Sequence, residues 1–120
     1  MAKERPLTPT NRTIECLAEL GWLAGDVERR VTSHLTMDLF EIFDVVAVKA
    51  GEPTRGIQCT SNSGGNHSAR VKRLKANENT KRCLDAGWLC EVWSWKINKN
   101  DDGWNLRITV LGPETWGAEE

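Results

Sequence analysis

The sequence predicts an α/β fold, a three-layer sandwich with a mixed central sheet. Three observations carry this reading. An amphipathic helical segment opens the chain. Strand-forming stretches follow at residues 38–48 and 56–60. A helical segment then separates them from two further strand-like stretches. The order helix, three strands, helices, two strands is that of an α/β sandwich.

Taken in order, Thr8 is placed to cap the first helix, with Pro9 at its first position. Ile14, Leu17, Ala18 and Gly21 recur at helical spacing and mark an inward face, and Gly21 is a helix stop. Residues 26–32 read as a short strand with Val27 and Val31 on one face. Residues 33–37 form a loop whose His34 is surface decoration or a ligand. The break at residues 49–55 carries the Gly51 and Pro53 that end strands, so its flanks pair as a hairpin. The polar loop at residues 61–68 opens a helix. It can cradle phosphate through its backbone N–H groups, with His67 facing the anion, or serve as a flexible turn capped by Asn66 or Ser68. The helical stretch 68–86 turns Val71, Leu74 and Leu84 inward and breaks near residues 77–79. Residues 89–96 form a strand and residues 98–103 a turn. In the last strand Trp104, Leu106, Ile108 and Val110 alternate with polar residues, and the tail from Pro113 frays.

With 120 residues the chain suits a single domain, residues 1–120, with an ordered core at about 11–111. Hydrophobic residues at 39% and charged residues at 28% describe an ordinary globule, and no stretch approaches the ~20 apolar residues of a membrane span. The N-terminal residues lack the apolar run of a secretory signal, which points to the cytoplasm. Cys16, Cys59, Cys83 and Cys90 include no C-x-x-C pair. Each sits in an apolar or helical pattern as a small core residue, with zinc or disulfide roles as the alternative. A net charge of −1 argues against a general nucleic-acid coat protein. Yet Arg70, Lys72, Arg73, Lys75, Lys81 and Arg82 stand against Glu78 alone, a face for a phosphate backbone or for solvent. The six tryptophans, with no tyrosine beside them, fit core or homodimer-interface packing better than base stacking.

The hairpin holds the polar residues that core packing alone does not explain. Pairing about its centre sets Val48 opposite Gly56, Val46 opposite Gln58 and Asp44 opposite Thr60. Asp44, Gln58 and Thr60 then emerge on one face. Asp44 and Gln58 become diagonal neighbours, roughly 7 Å apart at the backbone. Two oxygen donors on a sheet at that spacing suit a hard divalent cation.

An Asp at a strand followed by Gln58-Cys59-Thr60 on the next strand resembles the PD-(D/E)XK nuclease superfamily, and more closely the Holliday-junction-resolvase-like nucleases of phages. The resemblance spans about residues 11–111 and implies a restriction-endonuclease-like fold and Mg²⁺-dependent DNA cleavage, with Mn²⁺ as a substitute, in a bacterial or phage-infected cell. The implied metal ligands are Asp44, Gln58 and the Cys59 carbonyl, and an acid on the first helix, Glu15, reaches toward them. Gln58 replaces the motif acid, and its amide oxygen can still ligate. Thr60 replaces the motif Lys, which positions the attacking water, so Arg70 or Lys72 would supply that cation. The implied partner is DNA, contacted by Arg70, Lys72, Arg73 and Lys75. The alternative is a catalytically weak relative that binds DNA or a protein partner.

Overall fold

The computed structural model describes residues 8–33, 35–61, 66–97 and 104–112; His34, the turn at 98–103, the tail from Pro113 and most of the glycine-rich loop lie outside the described residues. Helix α1 (Pro9–Glu19) leads into β1 (Leu23–Asp26), β2 (Arg29–Arg30), β3 (Thr36–Met37), β4 (Val45–Val48) and β5 (Arg55–Ser61). Helices α2 (Asn66–Ala76) and α3 (Glu78–Asp85) follow, then β6 (Leu89–Ile97) and β7 (Trp104–Leu111). The main sheet has the order β1-β4-β5-β6-β7, and β2 and β3 form a separate hairpin. Among the described strands only β5 and β6 pair in parallel, because α2 and α3 carry the chain back between them; the other pairs are antiparallel. The fold is therefore α/β with a mixed sheet.

Each face of the sheet buries its own core. On one side Leu17 of α1 packs with Val45, Ala47, Ile57, Trp93 and Trp95. On the other, Val71 and Leu74 of α2 and Cys83 and Leu84 of α3 close over Phe43, Cys90, Val92 and Leu111. Two tryptophans thus serve as core. The four cysteines are free thiols, with Cys83 and Cys90 buried and Cys16 and Cys59 partly so.

Thr8 caps α1 as expected, its hydroxyl accepting from the Asn11 N–H at 3.1 Å, and Gly21 follows the helix at φ 89°, a conformation open to glycine. The inward face differs in phase from the sequence reading. Thr13 and Leu17 are buried, while Ala18 and Gly21 are exposed. Thr13 is tolerated there because its hydroxyl donates to the Pro9 carbonyl and accepts from Trp95 Nε1, both at 2.8 Å. Asn77 separates α2 from α3 and caps the latter through the Asn79 N–H.

Three further expectations change. Residues 38–44 are not strand: Leu39 bridges Phe43 across a tight turn in which Phe40 and Glu41 have φ of 56° and 70°. The β4–β5 register is offset by two residues from the expected one, with Val46 opposite Gly56 and Val45 opposite Ile57. Gly56 leaves room for the Phe43 ring, which lies 2.7 Å from where a Cβ would stand. Finally, Ile108 and Val110 on β7 are exposed rather than half-buried, because α1 packs over β1, β4, β5 and β6 and leaves this edge strand open. Among the described residues, no helix is long and apolar enough to cross a membrane.

Candidate metal centre

Asp44 enters β4 at a fault in the ladder. Its N–H donates to the Ile57 carbonyl at 2.9 Å, one residue out of step with the pairing that follows, and its own carbonyl accepts from Val27 at 2.9 Å. The carboxylate then takes the next donor on β5: Oδ2 accepts from the Cys59 N–H at 2.8 Å. The residue is held by backbone on both sides, and its side chain is 8% exposed.

Two acids that sequence reasoning missed converge on it. Glu28 follows Val27, its N–H bonded to Asp26 Oδ1 at 2.8 Å, and Asp38 begins the tight turn, its carbonyl accepting from Glu41. Ligand oxygens of Glu28, Asp38 and Asp44 all lie within 4.8 Å of one another. Burial pushes the Asp44 carboxyl up to about 8, opposed by the Cys59 N–H and helped by a hydrogen bond from Asp38 and the charges of Asp38 and Glu28. Burial also raises Glu28, with Asp26 and Asp38 adding repulsion. Three carboxyl groups thus share a space that favours a proton or a cation over free charge.

Gln58 stands beside this fault. It is 2% exposed, and its Nε2 donates to the Ile42 carbonyl at 2.9 Å, two residues before Asp44. Its Oε1 is buried with no hydrogen-bond partner among the described residues. A buried amide oxygen left unpaired costs about 1–3 kcal/mol. Hard cations take such oxygens together with carboxylates, and the mutual spacing of the three acids fits ligand shells of roughly 2.1–2.6 Å radius. An all-oxygen donor set suits a hard divalent cation.

Comparison with protein-family models, with curated proteins and with solved structures finds no match.

The other expected site residues are distributed as follows. Cys59 supplies the N–H that fixes Asp44 and stands opposite Trp93 of β6; its thiol contacts Thr13 Oγ1 at 3.3 Å, and burial raises it far above the ordinary thiol range. Thr60 is 7% exposed, and its hydroxyl donates to the Ser61 carbonyl at 3.3 Å. Glu15 lies outside the acid cluster and pairs with Arg12 across one helical turn at 3.7 Å. On α2, Lys72 and Arg73 are exposed and Arg70 and Lys75 half-buried, opposite the packed Val71 and Leu74. His67 does not face outward: its ring nitrogens bond Ser94 Oγ at 2.6 Å and Thr109 Oγ1 at 2.8 Å, so it ties α2 to β6 and β7.

A second polar cluster had no sequence signal. Glu91 is fully buried, yet Arg55 Nη2 donates to its Oε1 at 2.7 Å, Arg55 Nε donates to Oε2, and Trp93 Nε1 donates to Oε1 at 2.7 Å. The guanidinium also lies 4.8 Å from the Trp22 ring centroid and 5.6 Å from that of Trp93. Fully partnered, this pair pins β5, the strand whose Cys59 holds Asp44, to β6.

Proposed function

We propose that this protein is a divalent-cation-dependent DNA phosphodiesterase, an endonuclease or junction-resolvase-like enzyme acting in the cytoplasm of a bacterial or phage-infected cell. The observation that carries the reading is the convergence of the Glu28, Asp38 and Asp44 carboxylates, their ligand oxygens within 4.8 Å of one another. Glu28, Asp38, Asp44 and Gln58 would hold the cation, which when bound polarises the scissile phosphate and acidifies water. The Cys59 N–H keeps the Asp44 carboxylate aimed by occupying one of its oxygens. Cation binding and proton release are coupled at Asp44, since the same oxygens serve both.

The basic residues of α2 give the phosphate backbone a surface. This helix begins five residues after β5 ends, and that end of β5 is the one where Cys59 holds Asp44. Farther along the helix Lys72 and Arg73 are exposed, and Arg70 and Lys75 flank them. Their attraction is insensitive to base sequence and sensitive to salt.

Thr60 favours a second reading. It offers no charge, and its hydroxyl is turned to the Ser61 carbonyl. A nuclease fold without the motif cation can persist as a DNA-binding scaffold. Incubation of branched and linear DNA with Mg²⁺ or Mn²⁺ decides between them. The enzyme reading expects cleavage that is lost in Asp44→Asn and reduced by about two to three orders of magnitude, as for loss of one charged transition-state donor, in Arg70→Ala or Lys72→Ala. The scaffold reading expects no cleavage by the wild type, and weak cleavage only after Thr60→Lys.

A further inference from the structure

The turn that delivers Asp38 and Asp44 to the acid cluster has another side. Its Phe40 ring, 47% exposed, leans over a cavity of about 390 Å³ lined by Phe40, Asn79, Arg82, Cys83, Ala86 and Trp88. Phe40 and Trp88 form its aromatic walls, their centroids 6.2 Å apart and their planes inclined at 56°. Trp88 is fixed from behind by Phe43, stacked at 5.9 Å. Asn79 Nδ2 donates to the Phe40 carbonyl at 3.1 Å and clamps the turn to α3. The Arg82 guanidinium stands at the wall and makes no ion pair among the described residues.

The backbone geometry adds a second indication. Phe40 and Glu41 are consecutive non-glycine residues with positive φ, a conformation that costs of order 1 kcal/mol or more per residue. This conformation holds a large aromatic ring half out of the core, where burial would otherwise be favoured. Strain of this kind persists where surrounding contacts enforce it, and here Asn79 and the Leu39–Phe43 bridge do so.

We infer that this hollow receives one unpaired base of a DNA strand, stacked on the exposed Phe40 ring with Trp88 against its edge and its phosphate toward Arg82. The inference rests on the DNA reading above and adds a preference for DNA with an extruded or unstacked nucleotide. The volume lies within the range of sites for single small ligands, roughly 300–1,000 Å³. Aromatic walls accept every base by its π-face, and an arginine at the wall suits the phosphate. Phe40 is two residues from Asp38, at most about 7 Å between Cα atoms, so one turn carries both the hollow and a member of the acid cluster.

The test uses the full chain in EDTA, so that no cutting intervenes. The probes are a DNA duplex carrying 2-aminopurine as a one-nucleotide bulge and the same duplex fully paired. The wild type is expected to quench the bulged base and to bind that duplex on the order of tenfold more tightly than the paired one. Phe40→Ala should abolish both effects and Phe40→Trp should retain them. Arg82→Gln should weaken bulge binding and lower its salt dependence. Equal affinity for the two duplexes, or quenching that survives in Phe40→Ala, would overturn the pocket while leaving DNA binding in place. Failure to bind either duplex would overturn the DNA reading together with it.

Discussion

The Cys59 backbone N–H donates to Asp44 Oδ2 at 2.8 Å, a side-chain acceptor standing where the ladder between β4 and β5 has slipped by one residue. This single bond sets the orientation of the carboxylate on which Glu28 and Asp38 converge. It also biases the group toward ionisation against a desolvation that works the other way.

Asp44 should make the cation-free protein less stable as pH rises. Folding raises its pKa from the ordinary 3.8 to about 8, so the native state keeps a proton that the unfolded chain releases. That contribution is full below about pH 4 and is lost progressively up to about pH 8. Thermal melts in EDTA should show the wild-type Tm falling across this window relative to Asp44→Asn. Saturating Mg²⁺ should reverse the fall, because the cation replaces the proton. Parallel pH profiles for the two proteins would mean that Asp44 holds no extra proton in the native state.

Gln58→Glu places a carboxylate where the unpaired Oε1 now lies. Added ligand charge should tighten Mn²⁺ binding on the order of tenfold, read by isothermal titration. The same change should lower the Tm at pH 8 in EDTA, since a buried carboxylate would stand there without a partner and the donor to the Ile42 carbonyl would be lost. A gain in stability without metal would contradict the assignment of that space.

How much of this was legible in the sequence depends on turn chemistry. The helices, the long strands and the α2–α3 break follow from periodicity, Pro9, Gly21 and Asn77. The acid cluster does not. Read as one extended strand, Asp38 and Asp44 lie roughly 20 Å apart and cannot meet. The turn that joins them is built from Leu39, Phe40, Glu41, Ile42 and Phe43, with no Gly, Pro, Asn or Asp between its ends to announce it. The faces of Val45, Val46 and Ala47 against β5 were legible because a register error of two residues leaves every side chain on its own side, whereas the one-residue slip at Asp44 was not. Glu91 was hidden for another reason: it occupies a core position in β6, and only the fold brings Arg55 to it.

Arg55→Ala should destabilise the protein by about 3–5 kcal/mol, because it leaves the fully buried Glu91 carboxylate without its cation. Glu91→Gln should cost less, since an amide oxygen still accepts from Trp93 Nε1. Urea unfolding with an unchanged m-value checks both. A cost below about 1 kcal/mol for Arg55→Ala would mean that the pair does not secure β5 to β6.

Replacing Lys72 and Arg73 together by Ala should flatten the salt dependence of duplex binding, by roughly 0.9 in log–log slope for each phosphate no longer neutralised. Both side chains are exposed, so the Tm should stay nearly constant. An unchanged slope would assign these residues to a solvated helix face.

Anomalous scattering from Mn²⁺ soaked into crystals of the wild type and of Asp44→Asn locates the cation without reference to activity. A peak is expected in the wild type among the Glu28, Asp38 and Asp44 carboxylates and Gln58 Oε1, absent or strongly reduced in the variant. A well-ordered acid cluster with no peak at millimolar Mn²⁺, or a peak equally strong in Asp44→Asn, would contradict a metal centre at Asp44.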